Sequence, residues 1–93
     1  MDLYKKDIFD KKSEILKSLA HPIRLCIVHG LIEQEGRNVS TIQSCLNAPQ
    51  STISQHLAKL KAAGIIEGKR NGTEINYYVI DEDAKQIISS IIK

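Results

Sequence analysis

The 93-residue chain reads as a mainly α-helical fold carrying one small β-hairpin. Three observations predict it. Apolar residues recur at helical spacing in segments separated by Pro22, by Asn47-Ala48-Pro49 and by Gly64. Two of those segments are short and adjoin across a tight break, and two β-rich runs flank Asn71-Gly72.

In the first segment Leu3, Ile8, Ile15, Leu16 and Leu19 alternate with Lys5, Lys6, Asp10, Lys11, Lys12 and Glu14, the pattern of an amphipathic helix that is loose around Phe9 and Ser13. Such a face can reach outward to a partner as well as inward. Pro22 disfavours helix at His21 and suits a first helical position, so a second helix is expected from 22 to about 33. Its expected buried stripe is Ile23, Cys26, Ile27, Leu31 and Ile32. Glu35-Gly36-Arg37-Asn38 reads as a turn, with Ser40 the expected N-cap of a short helix over 41–46. After Asn47-Ala48-Pro49, residues 50–63 carry Ile53, Leu57 and Leu60 on one stripe and stop at Gly64, a favourable residue for a helix C-terminus.

These two short helices have the helix-turn-helix pattern, and the second presents an outward face of Ser51, Gln55, Ala58, Lys59 and Ala62. Runs 65–70 and 73–80 form the expected hairpin, with Asn71-Gly72 suited to a type I′ turn. An isolated hairpin is marginal in water, so Ile66, Ile75, Tyr77 and Val79 are expected to bury against the helices. Asp81-Glu82-Asp83 opens a last helix, its acidic residues complementing the positive helix N-terminus, and Ile87, Ile88, Ile91 and Ile92 line one side of it. The order of elements is that of a winged helix-turn-helix in one domain over residues 1–93.

Composition narrows the function classes. A hydrophobic content of 42% and a net charge of +2 exclude a disordered chain, and no apolar run reaches the roughly 18 residues of a membrane span. The first residues lack a signal peptide's apolar stretch, and two cysteines without CxxC spacing fit a reducing compartment, so the expected setting is cytoplasmic, without membrane contact. Residues 37–76 hold five basic and two acidic side chains, whereas residues 1–36 hold six of each, so the positive excess sits around the helix-turn-helix and hairpin. That suits an anionic partner touching one face. No Gly-rich phosphate loop, nucleophile elbow or HExxH is present, and no enzyme is expected.

A helix entering a major groove needs short polar groups at its N-terminal end, then longer amide or cationic groups for base edges and phosphates. Gln50, Ser51, Thr52, Ser54, Gln55 and Lys59 fit, with His56 on the flank of the buried stripe serving either packing or DNA. Lys69, Arg70 and Asn71 at the hairpin tip are placed to reach phosphates or the minor groove, while Arg37 and Lys61 are weaker candidates. The expected partner is double-stranded DNA. A winged helix used only for protein interaction remains an alternative, although it would favour an apolar or acidic face on the second short helix.

Ala20-His21-Pro22-x-Arg24-Leu25, the run Gln50-Ser51-Thr52-Ile53-Ser54-Gln55-His56-Leu57 and the Gly72-containing wing ending in Tyr77-Tyr78 resemble the ArsR/SmtB family of dimeric bacterial repressors. The resemblance covers residues 13–92. It implies a homodimer on an inverted-repeat operator, with the first and last helices at the interface. Leu3, Ile8, Phe9 and Ile15 would then meet Ile87, Ile88, Ile91 and Ile92.

The family's metal sites are not matched. Its Cys-Val-Cys at the third helix is replaced by Asn38-Val39-Ser40, and the last helix lacks histidine, so no metal or cofactor is expected. In thiol-sensing relatives a second-helix cysteine pairs with one in the last helix, which has none here, and His29 takes the sensor position. Cys26 is then expected to be a small buried hydrophobe. A redox pair of Cys26 with Cys45 is the remaining alternative switch and requires their Cα atoms to be close.

Overall fold

The structure is a computed structural model that describes residues 6–92 and, for Cys45, the backbone alone. The element order is α1 (Lys6–Leu19), α2 (Pro22–Glu33), α3 (Val39–Leu46), α4 (Gln50–Ala62), β1 (Ile66–Asn71), β2 (Glu74–Val79) and α5 (Glu82–Ile91). This is the expected winged helix-turn-helix order. Leu3 lies outside the described residues.

Helix starts follow from local chemistry. His21 is extended and its Nδ1 accepts the Ile23 amide at 3.1 Å, with Pro22 supplying the preset φ of a first helical residue. Asp81 Oδ1 accepts the Ala84 amide at 2.8 Å and caps α5. For α3 the cap is Asn38, whose Oδ1 takes the Thr41 amide at 2.9 Å, so the helix begins at Val39, ahead of the expected Ser40 cap. Both residues are good caps, and the extended backbone at Asn38 decides between them. The turn between α3 and α4 is made by Asn47 in the left-handed region at φ 53°, a conformation asparagine tolerates better than most side chains.

Gly64 ends α4 at φ +76°, and the Ile65 amide reaches back to the Leu60 carbonyl at 3.0 Å. A Cβ at position 64 would meet nothing within 4 Å, so Gly64→Ala carries only the left-handed penalty. We expect a loss of about 1 kcal/mol in urea unfolding. An unchanged midpoint would show that the backbone there relaxes without cost.

The core is a single cluster centred on α2, which packs against α1, α3, α4, α5 and β2. Leu31, Ile53, Leu60, Ile65, Ile66, Ile88 and Val28 are its largest fully buried side chains. Two sequence expectations change here. On α2 the buried residues are Ile27, Val28 and Leu31, whereas Cys26 is exposed and Ile23 and Ile32 are half-buried. This helix is apolar nearly all round, so periodicity could not select the inward arc. On α5 Ile88 is 0% exposed and belongs to the chain's own core, not to a face available to a partner.

The hairpin pairs Ile66 with Val79 at its base and Asn71 with Glu74 at its tip, leaving Gly72-Thr73 as the two-residue turn. Gly72 has φ +68° while Asn71 and Thr73 do not have positive φ, which is the pattern of a type II′ turn with glycine in its first central position. The expected type I′ turn centred on Asn71-Gly72 is thus displaced by one residue. Ile66 and Val79 are buried and Tyr77 is half-buried, but Ile75 is 40% exposed because the tip projects beyond the helices. The loop before α3 joins the hairpin through one isolated bridge: Tyr77 and Arg37 pair antiparallel, with the Tyr77 amide donating to the Arg37 carbonyl at 2.9 Å and the Gly36 amide to the Tyr77 carbonyl at 3.0 Å. Among the described residues no single helix is long and apolar enough to cross a membrane.

Candidate nucleic-acid interface

α4 is held from below by Ile53, Leu57 and Leu60, and that anchoring turns the opposite arc to solvent. Ser51, Ser54, Gln55, Ala58, Lys59 and Ala62 are exposed together with Gln50, while Thr52 is half-buried. The arc expected to face outward therefore does so. Short hydroxyls occupy the N-terminal turn, an amide sits in the middle and a lysine in the last turn. Lys61 is exposed as well.

The N-terminus of α4 differs from those of α2, α3 and α5. Those three are capped by His21, Asn38 and Asp81, whereas Pro49 precedes α4 with no side-chain cap. The first amides of a helix carry partial positive charge and bind anions well, so this end suits a phosphate oxygen.

His56 stands apart from the rest of the arc. It is half-buried, and its Nδ1 lies 3.0 Å from Arg24 Nη1. Its ring sits 4.4 Å from that of His21 at a tilt of 42°. Burial holds the imidazole below the usual histidine range, and the positive surroundings of His21, Arg24 and Lys59 push it further the same way. The structure thus packs His56 against Arg24 and His21.

In the wing, strand alternation separates Lys69 from Arg70. Lys69 shares a face with Glu67 and Tyr78, lying 3.6 Å from the Glu67 carboxylate and 5.0 Å over the Tyr78 ring. Arg70 is exposed on the other face opposite Ile75. Asn71 is exposed at the tip. The two cations therefore leave the wing on opposite faces, and Arg70 is the one without a carboxylate partner among the described residues. Arg37 is engaged elsewhere: its backbone bridges Tyr77, and its Nη2 donates to Gln34 Oε1 at 2.9 Å.

The other surface of interest joins α1 and α5. Ile8 and Phe9 are each 51% exposed, Leu16 52% and Ile91 62%. Ile15, Ile87 and Ile92 lie half-buried against the core. Leu16 belongs with the exposed group, although the sequence had assigned it only to the helix stripe. Lys12 pairs with Asp83 across the two helices, and the carboxylate raises the lysine above its ordinary range.

Among the described residues no group of three or more His, Cys, Asp or Glu converges as a metal site would require. Cys26 is exposed on α2, which corrects its expected burial.

Comparison with known proteins follows the same lines. Residues 19–69 match the family described as Helix-turn-helix domain. The chain is 40% identical over 83 residues to the HTH-type transcriptional repressor SmtB of Mycobacterium tuberculosis, covering 89% of this chain and spanning 61% of that repressor's length. It is 41% identical over 76 residues to the transcriptional repressor PagR of Bacillus anthracis, 82% of this chain and 76% of the relative. The PagR crystal structure superposes with a TM-score of 0.87 at 36% identity, covering 94% of this chain and 99% of that one. The homodimeric winged helix-turn-helix DNA-binding domain of a possible ArsR-family regulator from Mycobacterium bovis superposes with a TM-score of 0.83 at 28% identity, over 98% of this chain and 86% of that one. With the helix-turn-helix match covering more than half of its residues and the PagR fold nearly all of them, the chain belongs to the ArsR/SmtB family of winged helix-turn-helix proteins.

Proposed function

We propose that the protein is a cytoplasmic, homodimeric transcriptional repressor that reads an inverted-repeat DNA operator through α4 and steadies itself with the wing. The observation that carries this reading is the exposed arc of Ser51, Ser54, Gln55 and Lys59 on a helix whose N-terminus has no side-chain cap. Gln55 can pair with an adenine edge, the hydroxyls with phosphates or bases, and Lys59 with the backbone. Arg70 at the wing supplies a flanking phosphate or minor-groove contact. The exposed Ile8, Phe9, Leu16 and Ile91 provide the dimer face, in keeping with the homodimeric Mycobacterium bovis relative. The single domain of residues 1–93 would carry both surfaces.

The test is selection of duplexes from random and genomic DNA at physiological salt. Enrichment of an inverted repeat with half-sites about 34 Å apart is the expected result. No enriched sequence would turn the reading toward a protein-interaction module. On the enriched duplex, Gln55→Ala should cost about 1–3 kcal/mol and relax specificity at one base pair. Arg70→Ala should weaken specific and random duplexes alike and lower the salt slope by about one. Unchanged affinity in both variants would remove these residues from the interface.

A further inference from the structure

The flank of the recognition helix is tied to the elbow between α1 and α2 by one side chain. Arg24, on α2, donates through Nε to the Ser18 carbonyl at 2.6 Å, one residue before α1 ends, and through Nη1 meets His56 Nδ1 on α4 at 3.0 Å. A guanidinium only donates, so Nδ1 must accept and the imidazole proton must sit on Nε2. His21 closes the cluster with its tilted ring and spends its own Nδ1 on the Ile23 amide.

This contact differs in kind from the rest of the seat of α4. Ile53, Leu57 and Leu60 are buried beneath the helix by contacts without strong directionality, which tolerate small rotations about its axis. A hydrogen bond at the flank does not tolerate them. His56 adjoins Gln55 in sequence and lies one turn from Lys59, so rotation there re-aims the exposed arc. α1, at the other end of the tie, carries exposed Ile8, Phe9 and Leu16.

We propose that Arg24 is a positioning residue that sets the angle of α4 against α1, and that protonation of His56 releases α4, so that DNA binding weakens as the pH falls. The second half rests on the DNA-binding reading above. An imidazolium at position 56 would turn an N–H toward Arg24 and place two cations in contact. The groups around His56 are His21, Arg24 and Lys59, and Glu14 and Lys17 on α1 line a cleft beside Arg24 and Lys59. Only Glu14 is acidic, and it lies 3.6 Å from Lys17. Because the cluster holds His56 below the ordinary histidine value of 6.5, the tie is intact above that value and is lost as the pH falls through the lowered one.

The test uses the full chain in two arms. Without DNA, the α4 amide resonances are followed in an NMR pH titration together with the His56 ring. They should move with His56 in the wild type, and should lose that dependence in His56→Asn, which keeps an acceptor near the Nδ1 position and cannot titrate. In Arg24→Lys, whose ammonium cannot hold both partners, the response should shrink to the amides next to His56. Thermal melting verifies that both variants fold.

With DNA, fluorescence anisotropy on the selected duplex, or on a random duplex at low salt, should show affinity falling about tenfold between about pH 8 and about pH 5.5. His56→Asn should bring that ratio close to one. Amides of α4 that ignore His56 would overturn the positioning role. Affinity that rises on acidification in the wild type and not in His56→Asn would overturn the release and make His56 a phosphate contact. A wild type that binds neither duplex would defeat the DNA-binding reading alone, leaving the DNA-free arm to decide the role of Arg24.

Discussion

Leu16→Glu combined with Ile91→Glu should yield a folded monomer whose affinity for the inverted repeat falls by at least about a thousandfold at physiological salt, to the level of random DNA. Leu16 is 52% exposed and Ile91 62%, so the core does not depend on either. In a two-fold interface each substitution appears twice, and four carboxylates would replace side chains whose burial is worth about 1.5–3 kcal/mol each. Sedimentation across the micromolar range reads the oligomeric state, and anisotropy on the selected duplex reads the affinity. A variant that remains dimeric would exclude these residues from the interface. Ile88→Glu is the contrasting substitution: at 0% exposure it should prevent folding rather than separate protomers.

The second large effect is on stability. Leu60→Ala removes a fully buried side chain from beneath α4, where Ile53, Ile65 and Ile66 belong to the same fully buried group. A cavity in so dense a cluster should cost about 2–5 kcal/mol, a large share of the roughly 5–15 kcal/mol that holds a domain folded. The melting temperature should fall on the order of 15 °C. The comparison must be made at one protomer concentration, because association itself stabilises the fold. A loss under about 1 kcal/mol would mean that the helices close over the space.

How much of this was legible in the sequence depends on the range of the interaction. The junction at His21-Pro22, the acidic start of α5 at 81–83, the stop at Gly64 and the exposed arc of Ser51, Gln55 and Lys59 could all be read because each follows from residues close together within one segment. The neighbouring details could not. The choice of Asn38 over Ser40 as cap, and of Gly72-Thr73 over Asn71-Gly72 as turn, rests on backbone angles that several local sequences permit equally.

The sequence by itself determined the order of elements and the side of α4 that meets solvent, because spacing along a helix fixes which residues share a face, and its motifs carried the family resemblance. Only the tertiary structure decided which edge of an apolar stripe turns inward. Val28 is buried while Cys26 is exposed, and Ile88 enters the core while Leu16 stays outside it, because these outcomes depend on where neighbouring helices lie. It also decided every contact between distant residues: the bridge from Arg37 to Tyr77 and the tie from Arg24 to His56 join positions far apart in the chain. Periodicity carries no information about such pairs, since they exist only once packing has brought the elements together.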